Sequence, residues 1–269
     1  MLYDSHCHLD HHYYSKDLKE ILERAKKANI KYIITNGINY KTNLISLKLA
    51  EEFPIILPAL GFYPEDALDR EGYFEKNSKK DIKSLNENIQ LIEKNKSKVI
   101  AIGEIGLDLF HGKNIEQQSK DFKQLIQLSI KLNKPIIIHT RKAENETLNI
   151  LNEFKNKLNP DKVILHCFSG SKQLIKQAIN ANYNFSIPTK IARSEAFQYL
   201  AEVCPINKIL TETDGPYLST YKNEDKSFNR NEPAYIKESI KTLAKIKKLS
   251  EKEVEKQIES NFQRIFGIG

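Results

Sequence analysis

Four histidines and two acidic residues of this chain stand where side chains can bind metal ions. Each lies at or just past the carboxyl-terminal end of a short apolar run with strand character. They are His6, His8, Glu104, His139, His166 and Asp214. Imidazole nitrogens and carboxylate oxygens are the ligands of zinc, manganese and magnesium sites. One such residue beside an apolar run is more often an ordinary buried side chain, but six in matching contexts predict a metal site.

The sharpest part of this pattern is the pair of histidines near the start of the chain. His6 and His8 are two residues apart. Successive side chains of a strand point to opposite faces, so these two imidazoles are expected on the same face. Two imidazoles on one face can hold one cation between them.

The elements that must position these residues alternate between strands and helices. Apolar runs end at intervals of 21 to 42 residues, near His8, Asn36, Phe62, Glu104, His139, His166, Ile187 and Asp214. Residues with helical periodicity lie between and after them, at 18–28 with Ser15 as the expected N-cap, 41–52, 79–93, 116–132, 144–157, 171–181, 194–202, 233–247 and 251–266. Strands that alternate with helices predict a parallel sheet.

A closed barrel explains the order of the ligands better than an open sheet does. The ligands come from the first, fourth, fifth, sixth and eighth strands, and these can share one centre only if the sheet closes on itself. We therefore predict an α/β fold, a (β/α)8 TIM barrel with the metal site at the carboxyl-terminal rim of the strands. One domain is expected over residues 1–269, with 65–97 as an enlarged loop and helix over the rim and the last two helices outside the final strands. A doubly wound open sheet is the weaker alternative.

Composition adds weaker indications about partners and compartment. The net charge of +7 favours contact with phosphates, although scattered surface lysines explain it equally well. Three cysteines in unpaired spacing predict free thiols, and Cys7 and Cys167 are expected to face away from the metal. No 18-residue apolar segment or leader is present, which predicts a cytoplasmic protein without a membrane contact. Nothing in the sequence indicates an obligate protein partner.

Six ligands exceed the three that one catalytic zinc ion uses, so the pattern predicts two divalent metal ions, whether Mg, Mn or Zn. With Glu104 as the bridge, His6, His8 and Asp214 complete one site, and His139 and His166 complete the other. Two such ions can activate water and stabilise an in-line displacement at phosphorus. Glu104 and Asp214 are thus the predicted catalytic residues, with Asp214 accepting the proton of the attacking water.

Other polar residues near the strand ends are candidates for contacts with the substrate or the ligands. Arg141 can clamp a phosphate oxygen, or it can serve in a structural salt bridge. Lys190 and Arg193, after the seventh strand, are weaker candidates of the same kind. Glu212 is expected one layer deeper in the barrel, where it either orients a ligand imidazole or takes part in a buried ion pair.

At these residues the chain resembles the TatD family of metal-dependent deoxyribonucleases, which belongs to the amidohydrolase-like barrels. The similarity covers nearly the whole chain and rests on six motifs. They are residues 4–10 (Asp-Ser-His-Cys-His-Leu-Asp), 103–108 (Gly-Glu-Ile-Gly-Leu-Asp), 135–141 (Pro-Ile-Ile-Ile-His-Thr-Arg), 166–170 (His-Cys-Phe-Ser-Gly), 212–218 (Glu-Thr-Asp-Gly-Pro-Tyr-Leu) and 231–233 (Asn-Glu-Pro). The resemblance implies a TIM-type barrel, one or two divalent metals on the six ligands, and hydrolysis of DNA phosphodiester bonds, often from an end.

The chain departs from the family pattern after the third strand. Many members read Gly-x-His-Pro there, whereas this chain reads Gly61-Phe62-Tyr63-Pro64. Tyr63 can still donate a hydrogen bond to phosphate, but it cannot become a cation or a comparable ligand near neutral pH. We therefore expect Tyr63 to bind substrate, with an altered substrate preference or pH profile.

Two other classes of function compete with a nuclease. One is a hydrolase of another ester, such as D-aminoacyl-tRNA or a small phosphoester, or an amide hydrolase of the broader superfamily. Binuclear amidohydrolases commonly bridge their metals with a carboxylated lysine on the fourth strand, but that strand ends here in Glu104, with Lys98 at its opposite end. The other is a non-catalytic nucleic-acid-binding scaffold, which the complete ligand set disfavours.

Overall fold

The computed structural model describes residues 1–68, 83–221 and 229–268. Eight strands alternate with helices along the chain and pair in parallel, in the order of the sequence. The strands are β1 (Leu2–Cys7), β2 (Ile30–Gly37), β3 (Ile56–Phe62), β4 (Ala101–Asp108), β5 (Ile136–Arg141), β6 (Val163–His166), β7 (Asn184–Pro188) and β8 (Ile209–Glu212).

The sheet closes between β1 and β8, together with the residues that directly follow β8. The backbone N–H of Asp214 donates to the carbonyl oxygen of His6 at 2.9 Å, and that of His8 donates to Gly215 at 2.8 Å. Lower down, the hydroxyl of Ser5 donates to the carbonyl oxygen of Thr211 at 2.9 Å. The predicted (β/α)8 barrel is confirmed, and the open-sheet alternative is wrong.

The helices follow the predicted pattern with small differences at their ends. They are α1 (Leu18–Lys27), α2 (Tyr40–Glu52), α3 (Leu85–Lys94), α4 (Ile115–Leu132), α5 (Glu144–Glu153), α6 (Lys172–Asn180), α7 (Glu195–Val203), α8 (Lys237–Lys247) and α9 (Glu251–Phe266). In the part of the chain that the structure describes, no helix has both the length and the apolar character needed to cross a bilayer.

The structure differs from the prediction at the N-cap of α1 and at the first residues of α3 and α8. Asp17 is the N-cap of α1, whereas the hydroxyl of Ser15 donates to the carbonyl oxygen of His12 and closes a preceding 3-10 turn. Pro233–Ile236 likewise form a 3-10 turn before α8. Ser84 and Glu87 form a capping box at the start of α3, and residues 69–82 of the predicted enlarged loop lie outside the described residues.

The lower half of the barrel interior is apolar. One buried cluster joins one side chain from each of seven strands to three from α9, namely Tyr3, Ile34, Ala59, Ala101, Ile137, Ile164 and Leu210 with Phe262, Ile265 and Phe266. The rings of Tyr3 and Phe262 are 4.6 Å apart. The expectation that α9 covers the outside of the last strands is therefore wrong, because its aromatic face packs against the interior layer and closes the end opposite the ligands.

One layer higher, the interior becomes polar. In five of these strands, the residue two positions after the apolar one points into this layer, as the two-residue period of a strand requires. These residues are Asn36, Gly61, His139, His166 and Glu212. Register shifts in β1, between Asp4 and Cys7, and in β4, between Ile102 and Ile105, add one residue to that spacing. Such irregularities re-aim side chains, and here they bring His6 and Glu104 into the same layer.

Candidate metal centre

The structure brings all six predicted ligands together at the carboxyl-terminal rim of the barrel. His6, His8 and Glu104 are fully buried, His139 and His166 are nearly so, and the Asp214 side chain is 14% exposed. Asp214 lies just beyond β8 with a φ of 53°, a left-handed conformation that aspartate tolerates better than most residues. These positions leave Asp214 as the ligand most open to the cavity above.

The atoms that could bind a cation, here called donors, form two groups. The first group consists of the donors of His6, His8 and Asp214 around one oxygen of Glu104. Nε2 of His8 lies 3.3 Å from Oε2 of Glu104 and 3.5 Å from Oδ1 of Asp214. Nε2 of His6 lies 3.6 Å from each of the same two oxygens. The two Nε2 atoms are 3.3 Å apart, so four donor atoms converge on a single point.

The second group of donors surrounds the other oxygen of Glu104. Nδ1 of His139 lies 2.8 Å from Oε1 of Glu104, and Nε2 of His166 lies 3.8 Å from it. Glu104 thus presents one carboxylate oxygen to each group. The donors of each group lie within 4.8 Å of one another.

The backbone of Glu104 is held by close contact with β3. A Cβ atom at Gly61 would lie 2.2 Å from the carbonyl oxygen of Glu104 and 2.5 Å from its nitrogen. The side chain of Asn43 fixes Gly61 from the other side, because its Nδ2 donates to the Gly61 carbonyl oxygen at 2.8 Å and its Oδ1 accepts from the Gly61 N–H at 3.1 Å. Only glycine allows the two strands to approach this closely.

Two of the imidazoles are oriented through the ring nitrogen that faces away from the donors. Nδ1 of His8 lies 2.9 Å from the carbonyl oxygen of Asn36. Nδ1 of His166 lies 3.0 Å from Oε2 of Glu212, which also accepts the hydroxyl of Ser186. The contact predicted between Glu212 and a ligand imidazole is present, and such contacts fix the ring of a metal-binding histidine.

His139 is oriented in the opposite sense. Its Nδ1 faces Glu104, while its Nε2 lies 2.9 Å from the Tyr63 hydroxyl and 3.3 Å from Oδ2 of Asp108. Tyr63 is fully buried, and its hydroxyl donates to Asp108. This geometry corrects the expectation that Tyr63 faces the substrate, because the side chain lies behind His139. The role of Asp108 was missed, since β4 was expected to end at Glu104 and in fact continues four residues further.

The two cysteines beside ligands differ in direction. Cys7 is buried with its Sγ 3.5 Å from the carbonyl oxygen of Gly215, and it takes no part in the donor groups above. The expectation for Cys167 is wrong. Its φ of 45° departs from strand geometry, and its thiol donates to Glu212 at 2.9 Å while lying within 4.8 Å of donors of His166 and Asp214.

A cavity of about 240 Å³ opens above the second donor group. Arg141 and Lys190 line it together with Tyr217 and Phe197. The guanidinium of Arg141 also lies 4.3 Å from the ring centre of Phe110. Arg193, predicted as a weaker candidate, instead donates to the carbonyl oxygen of Ser219 at 2.7 Å.

The electrostatics of the centre are dominated by its two carboxylates. Burial opposes the charged form of His8, but contacts with Asp214 and Glu104 outweigh it and raise the pKa of His8 to about 10. For Asp214, burial is likewise outweighed by the hydrogen bond with His8 and the nearby imidazoles, which lower its pKa to about 2. Burial and the neighbouring His166 lower the pKa of His6 to about 4. The negative charge of Glu104 and Asp214, which favours a proton on His8, would equally favour a cation bound in place of that proton.

The donor chemistry fits a divalent cation. Four imidazoles and two carboxylates match the ligands of zinc, manganese and similar ions. His8 and His166 each present one ring nitrogen to the centre while a second contact fixes the other, as is typical of metal-binding histidines.

Comparison with known proteins supports the same interpretation. The family model described as TatD related DNase matches residues 3–267. An uncharacterized metal-dependent hydrolase of Methanocaldococcus jannaschii is 33% identical over 263 residues, which are 98% of this chain and 96% of that protein. The human deoxyribonuclease TATDN3 is 33% identical over 271 residues, covering 98% of this chain and 94% of its own length.

Among solved structures, the TatD homologue YjjV of Escherichia coli K12 superposes with a TM-score of 0.85 at 25% identity, and the match covers 100% of this chain and 98% of that one. Fold, donor chemistry and sequence similarity therefore agree. The chain belongs to the family of TatD-related DNases and is a metal-dependent hydrolase.

Proposed function

We propose that this chain is a deoxyribonuclease that hydrolyses phosphodiester bonds from an end of DNA, with two divalent cations bound to His6, His8, Glu104, His139, His166 and Asp214. The observation that carries the proposal is the division of the donors by Glu104. One of its oxygens faces His6 and His8, and the other faces His139 and His166. This is the arrangement expected of a carboxylate that bridges two ions.

The substrate class is supported by one relative and by the cavity. The human relative is named a deoxyribonuclease, and the cationic side chains of Arg141 and Lys190 line the cavity beside the donors. A planar guanidinium can hold two phosphate oxygens at once. The cavity of about 240 Å³ has room for a phosphate group beside these two cationic side chains.

When bound, the cations supply Lewis-acid stabilisation of the charge that develops at phosphorus. The residues of the chain supply the remaining functions. Asp214, whose pKa of about 2 keeps it ionised at neutral pH, accepts the proton of the attacking water from its position at the floor of the cavity. Arg141 and Lys190 bind and orient the phosphate. Glu212 keeps the His166 ring directed at the centre.

We further propose that residues 1–269 act as one catalytic domain in the cytoplasm. The family match over residues 3–267 supports the single domain. All six ligands lie on strands of one barrel or within two residues after them, so the centre requires no second structural unit.

The test uses protein stripped of metal and end-labelled single-stranded and double-stranded DNA. Mg²⁺, Mn²⁺ or Zn²⁺ is added back, and the products are resolved by length over time. We expect cation-dependent laddering from one end, and no cleavage by His139→Ala or His6→Ala protein at equal concentration. Absence of cleavage with every cation would contradict the proposal and favour another ester, such as D-aminoacyl-tRNA or a small phosphoester.

A further inference from the structure

The feature that the proposed function does not use is Tyr63, the residue directly after β3. Its ring is fully buried and packs with Ile38, Ala67 and Leu68 in a small cluster of its own. Its edge faces the His139 ring, with 4.9 Å between the ring centres. The hydroxyl therefore has a fixed position between Asp108 and His139.

The hydrogen bonds around Asp108 determine where the hydroxyl proton goes. Oδ1 of Asp108 accepts the backbone N–H groups of Phe110 and His111, each at 2.8 Å. Oδ2 faces Tyr63 and Nδ1 of His111, the latter at 2.9 Å. A carboxylate that accepts on both oxygens donates no proton, so the single proton of the Tyr63 hydroxyl is directed at Asp108.

The direction of that proton fixes the tautomer of His139. Because the hydroxyl proton is committed to Asp108, the hydroxyl oxygen accepts from Nε2 of His139, which is 2.9 Å away. Oδ2 of Asp108, at 3.3 Å from the same nitrogen, reinforces this arrangement. A neutral imidazole with its proton on Nε2 has its lone pair on Nδ1, and Nδ1 is the atom that faces Glu104 at 2.8 Å.

We propose that Tyr63 is a positioning residue that, together with Asp108, holds His139 so that Nδ1 is its cation-binding atom. The proposal rests on the cation pair of the proposed function, but not on DNA as the substrate. In this role Tyr63 does not bind phosphate directly, as the sequence had led us to expect, but acts on cation binding through the orientation of His139. His139 is thereby set apart from His8 and His166, whose Nδ1 atoms are engaged on the far side.

The geometry also indicates what loss of the hydroxyl would do. In a Tyr63→Phe protein the aromatic ring keeps its packing in the apolar cluster. Of the two contacts of His139 Nε2 described above, only the longer one, with Asp108, remains. The imidazole can then rotate or exchange its tautomer, and each such state removes Nδ1 from the second donor group. Loss of a contact that orients a metal ligand typically costs about 10-fold to 100-fold in metal affinity.

The experiment is calorimetric titration of stripped protein with Mn²⁺ and with Zn²⁺, for wild type, Tyr63→Phe and Tyr3→Phe. Tyr3 is the matched control, because it is a buried tyrosine whose hydroxyl donates to Glu259 at 2.7 Å on the α9 side of the barrel. We expect Tyr63→Phe to lower the affinity for one of the two cation equivalents by about 10-fold to 100-fold. Tyr3→Phe is expected to change the affinity for neither. Unchanged affinities in Tyr63→Phe would overturn the proposal.

A second measurement needs no variant, so a folding defect cannot obscure the result. Long-range proton–nitrogen NMR of the zinc-loaded wild type is expected to show the His139 proton on Nε2, and a proton on Nδ1 would overturn the proposal. The two proposals fail separately. If DNA is not cleaved but Tyr63→Phe still weakens one equivalent, only the substrate is wrong, whereas unchanged cation binding in His139→Ala would overturn the cation pair and the role of Tyr63 together.

Discussion

Adding a single methyl group at Gly61 is expected to disable the centre while leaving the barrel folded. In a Gly61→Ala protein the new Cβ would stand 2.2 Å from the carbonyl oxygen of Glu104, where ordinary contacts begin at 3.4 Å. The backbone must therefore separate by about 1 Å, a displacement that can cost about 100-fold in rate when it moves a catalytic group. Gly61 cannot yield easily, since Asn43 holds both its carbonyl oxygen and its N–H.

The assay for this variant combines cation titration, cleavage of end-labelled DNA and unfolding in urea. We expect weaker cation binding, a rate about 100-fold lower, and a cooperative unfolding transition. Gly267→Ala serves as the control, because its φ is 68° and, apart from its chain neighbours and its own helix, no atom of the described residues lies within 4 Å of the added Cβ. That change should cost roughly 1 kcal/mol of stability without affecting the centre. Wild-type cation affinity and rate in Gly61→Ala would show that close contact at Gly61 does not position Glu104.

Three further predictions concern the proposed roles of single groups. Asp214→Asn should keep the fold and lose about 10²-fold to 10⁴-fold of kcat, since an amide cannot accept the water proton; near-wild-type kinetics would reject Asp214 as the base. Arg141→Ala should raise KM for DNA roughly 10-fold to 150-fold, which corresponds to the about 1.5–3 kcal/mol of a charge-assisted hydrogen bond, whereas Arg193→Ala should not; equal KM values in wild type and both variants would argue against a phosphate contact. Cations that bind only the folded state should add about 2.7 kcal/mol to the free energy of unfolding at 100 times their Kd, and an unfolding midpoint that does not respond to chelation would contradict cation binding at the buried donors.

The barrel and the ligands could be predicted because they depend on local regularities. Continuous apolar runs with a ligand at the end, such as those leading to His139 and His166, indicate both the strand and the direction of the side chain. The two-residue spacing of His6 and His8 similarly indicates a shared face. Helical periodicity identified the remaining elements, with errors at caps where Ser15 and Asp17 compete.

Features that depend on contacts between distant segments could not be predicted. Strand β4 continues to Asp108, past a register shift between Ile102 and Ile105, and no local pattern distinguishes it from a strand that ends at Glu104. The burial of Tyr63 depends on Asp108 and His139, which lie 45 and 76 residues away in the chain. The left-handed turn at Cys167 likewise accompanies a contact with a distant residue, because its backbone N–H donates to Glu212, 45 residues away in the chain.

The proposed division of the donors by Glu104 into two cation sites can be tested by anomalous diffraction from crystals grown with Mn²⁺. We expect two anomalous peaks, one beside His6 and His8 and the other beside His139 and His166, with an oxygen of Glu104 directed at each. A single peak, or peaks away from Glu104, would contradict it.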